Sequence, residues 1–278
     1  MSLSGRRIAL ATKHGKEAIF APAFAELGAS ITVADVDTDR FGTFSGDIAR
    51  PGSPLEVVEL KARAATCNSG LDLGVASEGT FGPHPVTPYL LVDTELVAYV
   101  DTGLDYCVVE RATSASRLPP AATVDDIDDI DGLRITALLP DQWAVVVAED
   151  PDTRSRTVFA KGIDSVEQLR SCVEHALSET DSSVIVEPDL RSHGCPERRQ
   201  VIERAVARLV GRLRRSCPVC EAPGFGSVRV VPGLRCGLCD LPTTQPAADL
   251  DGCVRCGFEV RVDRVARADP TYCDRCNP

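Results

Sequence analysis

The sequence is short of several things, and each shortage narrows what the chain can be. No stretch of its 278 residues approaches the roughly 20 consecutive apolar residues needed to span a bilayer, so no membrane anchor is expected. Residues Met1 to Thr12 offer Arg6 and Arg7 followed only by Ile8, Ala9 and Leu10 before polar residues return, which is too little for a secretory leader. We therefore expect a soluble, cytoplasmic protein with no membrane partner. Positive charge is also short: 30 Lys and Arg against 41 Asp and Glu leave a net charge of −11. Neutralising a nucleic-acid backbone takes clustered cations, so this balance disfavours nucleic acid as a partner, although an arginine-rich patch would still permit it. Lysine is scarcest, confined to Lys13, Lys16, Lys61 and Lys161, so the places where lysine does occur are informative.

The last sixty or so residues lack the large apolar side chains of an ordinary core and are punctuated by Pro223, Gly224, Gly226, Pro232, Gly233, Pro242 and Pro246. What they have instead is cysteine. Four Cys-x-x-Cys pairs fall at Cys217/Cys220, Cys236/Cys239, Cys253/Cys256 and Cys273/Cys276. Each pair can place two thiolates on one tight knuckle, and Zn²⁺ takes four soft ligands in a tetrahedron, so four knuckles read as two structural zinc sites. Taken consecutively the spacings are those of two zinc ribbons, and this sequential pairing is the preferred reading. The spacing also allows an interleaved pairing, first knuckle with third and second with fourth, which makes one compact module. A disulfide framework or redox dithiols is the weaker alternative, because nothing suggests secretion. Metal would supply much of the tail's folding free energy, roughly 10 kcal/mol or more per site.

With 44% hydrophobic residues and a mean hydropathy of −0.03, the remainder can bury a substantial core. We expect an α/β fold, a mixed sheet flanked by helices over residues 1–215, followed by the zinc-ribbon module over 216–278. Arg7 to Thr12 reads as a buried strand and Glu17 to Leu27 as a helix, joined by Thr12-Lys13-His14-Gly15-Lys16. Such a strand-loop-helix turn aims free backbone N–H groups and the positive helix end at one point, where a phosphate can sit. It is not a Walker A loop, because Glu17 stands where Ser or Thr would follow the lysine. Plain solvated lysines on an ordinary turn are the alternative.

Ala29 to Asp35 forms a second strand. The segment Asp37 to Ile48, which holds Asp39 and Asp47, is a polar loop able to close over a ligand or offer oxygens to Mg²⁺. A helix over Leu55 to Cys67, capped by Ser53, carries Lys61, and the strand Leu73 to Ala76 leads into Ser77, Glu78 and, further on, His84. A glutamate at the end of a buried strand is a candidate for chemistry. Tyr89 to Glu110 reads as a hairpin turning at Asp101-Thr102-Gly103. Its Asp93 and Glu95 share one face, toward solvent by preference or around a cation with Glu78.

Strands are expected over Gln142 to Glu149, Thr157 to Gly162 and Ser183 to Val186, with helices over 164–178 and Gln200 to Arg214. Arg191 and His193, at the last strand-to-helix junction, would form a second side of the same pocket. Arg204, Arg208 and Arg212 read as a solvated helix face. Cys67, Cys107, Cys172 and Cys195 read as buried thiols, of which only Cys195 stands in a polar cluster.

The strings ALATKHGKE, DTDRFGTFSGDIAR, ASEGTFGPHP, FAKGI, EPDLRSHGCPERR and CDRCNP resemble an uncharacterised prokaryotic family, domain of unknown function 6671, over essentially the whole chain. That family brings no activity with it. ALATKHGKEAI, LKARAA and LGVASEGTFG are more weakly similar to inosine/xanthosine triphosphatases, a resemblance that implies phosphate contacts for Lys13 and Lys16 and a Mg²⁺ role for Glu78. The chain departs from that pattern at His14 and between Thr80 and Pro85.

Two functional expectations follow. In the first the chain is a hydrolase dependent on Mg²⁺ or Mn²⁺ and acting on a nucleotide or related phosphorylated metabolite. Thr12, Lys13, His14, Gly15, Lys16, Lys61 and Ser77 lie on the phosphate side, while Glu78 with Asp39 or Asp47 positions metal and water. His84, Arg191 or His193 touches substrate. In the second the chain is a non-catalytic binding protein whose zinc ribbons dock a protein or nucleic-acid partner.

Overall fold

The computed structural model describes residues 2–43 and 48–278. Asp47, a sequence candidate, lies outside the described residues. The first sheet is mixed and five-stranded, built from β1 (Arg7–Ala11), β2 (Ser30–Ala34), β3 (Leu73–Pro83), β4 (Leu91–Asp101) and β5 (Tyr106–Ala115) in the order β2-β1-β3-β4-β5. The pairs β1–β2 and β1–β3 are parallel, and β3, β4 and β5 form an antiparallel meander.

Alternation of side chains along the strands gives this sheet two different faces. Ile8 and Leu10, Leu73 and Val75, and Val97 and Tyr99 point to one side, where they pack with α1 (Glu17–Ala25) and α4 (Pro196–Leu213). Their neighbours Ala9, Ala11, Ala76 and Ala98 point to the other, where α2 (Pro54–Ser69) lies close. Small residues set that close approach: a Cβ on Gly74 would come within 2.3 Å of the Ala62 carbonyl oxygen. Helix α2 begins on a reciprocal capping box between Ser53 and Glu56 and ends on Gly70 in the left-handed conformation.

The second sheet is antiparallel, in the order β6-β9-β7-β8, from β6 (Ala122–Val124), β7 (Ala144–Glu149), β8 (Arg156–Ile163) and β9 (Ser183–Pro188). Helix α3 (Val166–Glu179) covers one face through Leu169, Val173 and Ala176, which meet Ala144, Val146, Val184 and Val186. The opposite face, where Val145, Lys161 and Glu187 stand side by side, is left open. Residues 1–215 thus have the expected α/β fold with a mixed sheet flanked by helices, and beside it a second, antiparallel sheet with its own core. Ser192 Oγ, donating to the His14 carbonyl at 3.0 Å, ties the two together.

The tail folds as a three-stranded antiparallel sheet, β10 (Gly226–Pro232), β11 (Pro246–Gly252) and β12 (Glu259–Asp263), with a cysteine knuckle before, between and after the strands. Its thiols gather as Cys217, Cys220, Cys253 and Cys256 at one end and Cys236, Cys239, Cys273 and Cys276 at the other. The preferred sequential pairing is therefore corrected to the interleaved one. A seven-residue strand such as β10 runs about 20 Å, so consecutive knuckles land at opposite ends of an antiparallel sheet and alternate knuckles at the same end. Ala222, in the first knuckle loop, is buried in the core of the first sheet, so the tail is docked.

Other expectations are corrected by packing. Asp93 and Glu95 do not face solvent; they share the face of β4 covered by α4 and are fully buried. Arg212 is not on a solvated face, because its guanidinium donates to the Glu110 carboxylate at 2.9 Å and the Gly224 carbonyl at 2.9 Å. Cys67 is exposed, and only Cys195 of the four isolated thiols is fully buried. Burial pushes the Cys195 thiol up to about 12, which leaves it an inert protonated group. Among the described residues no helix is long and apolar enough to cross a membrane.

Candidate functional site

The carboxyl ends of β1 and β3 lie side by side; the chain leaving β1 enters α1 on one face of the sheet, while α2, which leads into β3, lies on the other. In α/β sheets this is where a crevice opens. Here the crevice is roofed by the open face of the second sheet, which produces a cavity of about 470 Å³. One wall supplies Lys13, His14, Lys16, Asp39, Arg50, Lys61, Glu78 and, from α4, Arg198, and the other supplies Arg156, Lys161, Glu187, Asp189 and Arg191. Phe81, Leu91, Leu118, Pro119, Pro120 and Val145 add an apolar flank. All four lysines of the chain line this one space, and cations outnumber carboxylates eight to four among the described residues, in a protein of net charge −11.

The parity of β3 and β4 decides which group meets which. Ser77 points to the α1 face, where its Oγ is 2.9 Å from Lys16 Nζ at the start of that helix. Glu78 points to the α2 face and is held from both sides, by Lys61 Nζ at 2.5 Å on one oxygen and Arg50 at 2.7 Å on the other. The same arginine donates to the Gly79 carbonyl at 3.0 Å. Glu95 points to the α4 face and pairs with Arg198 at 2.5 Å, both side chains sealed from solvent. Gly79 makes room for this pair, since a Cβ there would lie 2.2 Å from Glu95 Oε1. Arg198 also donates to the Leu190 carbonyl, which reaches across to the second sheet.

Lys13 sits at the mouth between Asp37 at 3.0 Å and Asp39 at 2.6 Å, and these carboxylates hold its ammonium charged more firmly than usual. Lys16 has no carboxylate partner among the described residues. Burial first, then the Arg198 and Lys61 charges, lowers it to about 7. Burial and the neighbouring His193 ring lower His14 to about 4, so it is neutral at physiological pH. The two imidazole rings stand 4.8 Å apart, and His193 meets Trp143 edge-on at 4.9 Å. Arg191 is fixed by Asp189, which also accepts from the Gly162 N–H at 3.0 Å.

Of the sequence candidates, Lys13, His14, Lys16, Asp39, Lys61, Glu78 and Arg191 are brought to one cavity. Ser77 and His193 reach it through Lys16 and His14. Thr12, Gly15 and His84 are not part of its lining, and the His84 Nδ1 instead accepts from the Val86 and Thr87 N–H groups of its own loop at 3.2 Å. Sequence reasoning missed Arg50, Arg156, Lys161, Asp189 and Arg198 as site residues, and gave Glu95 only as the less favoured alternative of a cation site with Glu78. Arg50, Lys161, Asp189 and Arg198 stand inside motif strings already singled out, which was the available signal.

The cysteine clusters fit zinc on their own geometry. A tetrahedron with Zn–S of about 2.3 Å has edges of about 3.8 Å. The paired sulfurs stand 3.7 and 3.6 Å apart in the first cluster and 3.9 and 3.5 Å in the second. Backbone N–H groups of Val219 and Leu238 point at Cys217 and Cys236 Sγ at 3.4 Å, the usual support for a thiolate. No cysteine is in a disulfide. The two four-cysteine groups are thus compatible with two structural zinc sites. Among the described residues no other group of three His, Cys or carboxylate ligands converges, so the cavity carries no comparable set for Mg²⁺.

No curated protein matches the chain, so the similarity to inosine/xanthosine triphosphatases rests on its three strings alone. A family model described as a domain of unknown function matches from Lys61 to the last residue, a span that takes in Glu78, Arg198 and all eight knuckle cysteines. With residues 61–278 matched, the chain belongs to the DUF6671 family.

Proposed function

We propose that the cavity binds a phosphorylated small molecule, with nucleotides the first compounds to try, and that the tail is a zinc-stapled module. The observation that carries the reading is the gathering of all four lysines, with four arginines, around one space in an acidic protein. A cationic enclosure inside a negative surface focuses the field and selects anions of small size, because polyanions of large size meet the negative exterior. The apolar flank around Phe81 and Leu118 suits a base or another flat apolar part of the ligand.

Hydrolysis of that ligand with Mg²⁺ or Mn²⁺ is the enzymatic form of the proposal. Glu78 does not fit as a metal ligand in this arrangement, since both its oxygens are held by cations. Its role is to orient Lys61 and Arg50. Asp37 and Asp39, which already share one ammonium at the mouth, are the carboxylates that favour a divalent cation there if Lys13 turns to the ligand. In the tail, Cys217, Cys220, Cys253 and Cys256 would hold one zinc and Cys236, Cys239, Cys273 and Cys276 the other, as structural ions closed to substrate.

Titration calorimetry with nucleoside mono-, di- and triphosphates, run beside phosphate release in Mg²⁺ or Mn²⁺, tests the proposal. We expect binding that weakens in Lys16→Ala and Glu78→Gln. Binding without release removes hydrolysis and keeps the ligand site. If no phosphorylated compound binds, the docking reading stands instead, favoured by the exposed Val228, Val230, Val260 and Val262 on the tail sheet.

A further inference from the structure

The charges around Lys16 do not balance, and the imbalance has a chemical meaning. Helix α2 and the loop before it bring Lys61 and Arg50 to the single carboxylate of Glu78, and α4 brings Arg198 to the single carboxylate of Glu95. Lys16 arrives from α1 with only the Ser77 hydroxyl. Among the described residues, four cations therefore face two carboxylates. The other groups nearby are paired or neutral at pH 7: Lys13 stands between Asp37 and Asp39, Arg191 is held by Asp189, His14 is neutral, and Asp93, on the same face of β4 as Glu95, is pushed up to about 8 by burial and by the Glu95 charge, so it is largely protonated at that pH. The surplus of two matches a dianion, which among phosphorylated groups means a terminal phosphate monoester. A phosphodiester or a carboxylate carries a single charge.

Resting on the binding function proposed above, we propose that Lys16, Lys61, Arg50 and Arg198 form a receptor for a terminal dianionic phosphoryl group, and that Lys16 takes up a proton as that group binds. In the free protein the Lys16 amine, near 7, is mostly uncharged at mildly alkaline pH. A dianion beside it favours the ammonium, so a proton passes from solvent to Nζ on binding. Ser77 suits both states, since its hydroxyl donates to the neutral amine and accepts from the ammonium.

The test is calorimetry of the full chain at about pH 8, where a phosphate monoester is already dianionic, in buffers of different ionisation enthalpy. The probes are methyl phosphate and its singly charged counterpart dimethyl phosphate. We expect methyl phosphate to bind with uptake approaching one proton, and dimethyl phosphate to bind roughly tenfold or more weakly. Lys16→Arg, which stays charged throughout, loses the uptake in whatever methyl phosphate binding remains. Asp93→Asn keeps the uptake, which separates Lys16 from the other group that titrates nearby. Equal binding of the two probes, no binding of methyl phosphate, or uptake that survives Lys16→Arg would each overturn the inference. Nucleotide binding without proton uptake would overturn it while leaving the proposed function intact, whereas absence of any phosphorylated ligand would sink both.

Discussion

Removing Arg198 is the most searching perturbation of this fold, because the residue joins three things at once. Its guanidinium is buried against Glu95 in the first sheet, donates to the Leu190 carbonyl beside the second, and lines the cavity. In Arg198→Met the methylene stem is largely replaced, so packing changes little, but Glu95 is left as a buried carboxylate with no counter-charge and with Asp93 on the same strand face. Stranding one partner of a buried pair costs about 3–5 kcal/mol. The Leu190 carbonyl loses a charged donor, worth about 1–3 kcal/mol more. Against a typical domain stability of about 5–15 kcal/mol, the variant should be near the edge of folding. Replacing both partners, Glu95→Leu with Arg198→Met, removes the stranded charge and should recover most of the first loss while keeping the second. The measurement is urea unfolding with zinc present, followed by the fluorescence of Trp143, the sole tryptophan. A loss below about 1 kcal/mol in the single variant, or a double variant as unstable as the sum of its parts, would refute the reasoning.

Two further outcomes follow from the geometry. Cys236→Ser should release one zinc and leave Cys239, Cys273 and Cys276 open to alkylation while Cys217, Cys220, Cys253 and Cys256 stay protected; exposure of Cys217 and Cys220 instead would restore the sequential pairing. Asp93 binds its proton more tightly in the folded chain, near 8 against an ordinary 3.8, so the folded state holds the extra proton across that window and its stability falls as pH rises through it. Asp93→Asn should therefore gain on the native chain between about pH 5 and pH 8, by at most about 1.4 kcal/mol per unit, in thermal unfolding; a constant difference across that range would show that Asp93 does not titrate there.

Local pattern was enough for the elements that carry most of the first sheet. The alternation around Ile8 and Leu10, the Ser53 cap, the hairpin turning at Asp101 and the α3 stripe of Leu169, Val173 and Ala176 are all short-range signals, and each element forms where its residues demand. Strand β6 and the three tail strands were not read, because three residues of β6 and the proline- and glycine-rich strands β10 and β11 carry little periodicity of their own. Asp93 and Glu95 were misread for a related reason: the face they share was clear, but what covers it is α4, about a hundred residues away.

Spacing along the chain was enough to establish that eight knuckle cysteines form two four-ligand groups and that Lys13 and Lys16 sit on a strand-loop-helix turn. Which knuckles share a group came from the fold, because antiparallel strands return every second knuckle to the same end. The fold also settled that Glu78 is clasped by Lys61 and Arg50, that Lys161 joins the other three lysines with Arg198 beside them, and that Lys16, among the described residues of this cluster, stands without a carboxylate. Those are consequences of strand parity and of packing two sheets together, and charge balance in a cavity exists only once both walls are in place.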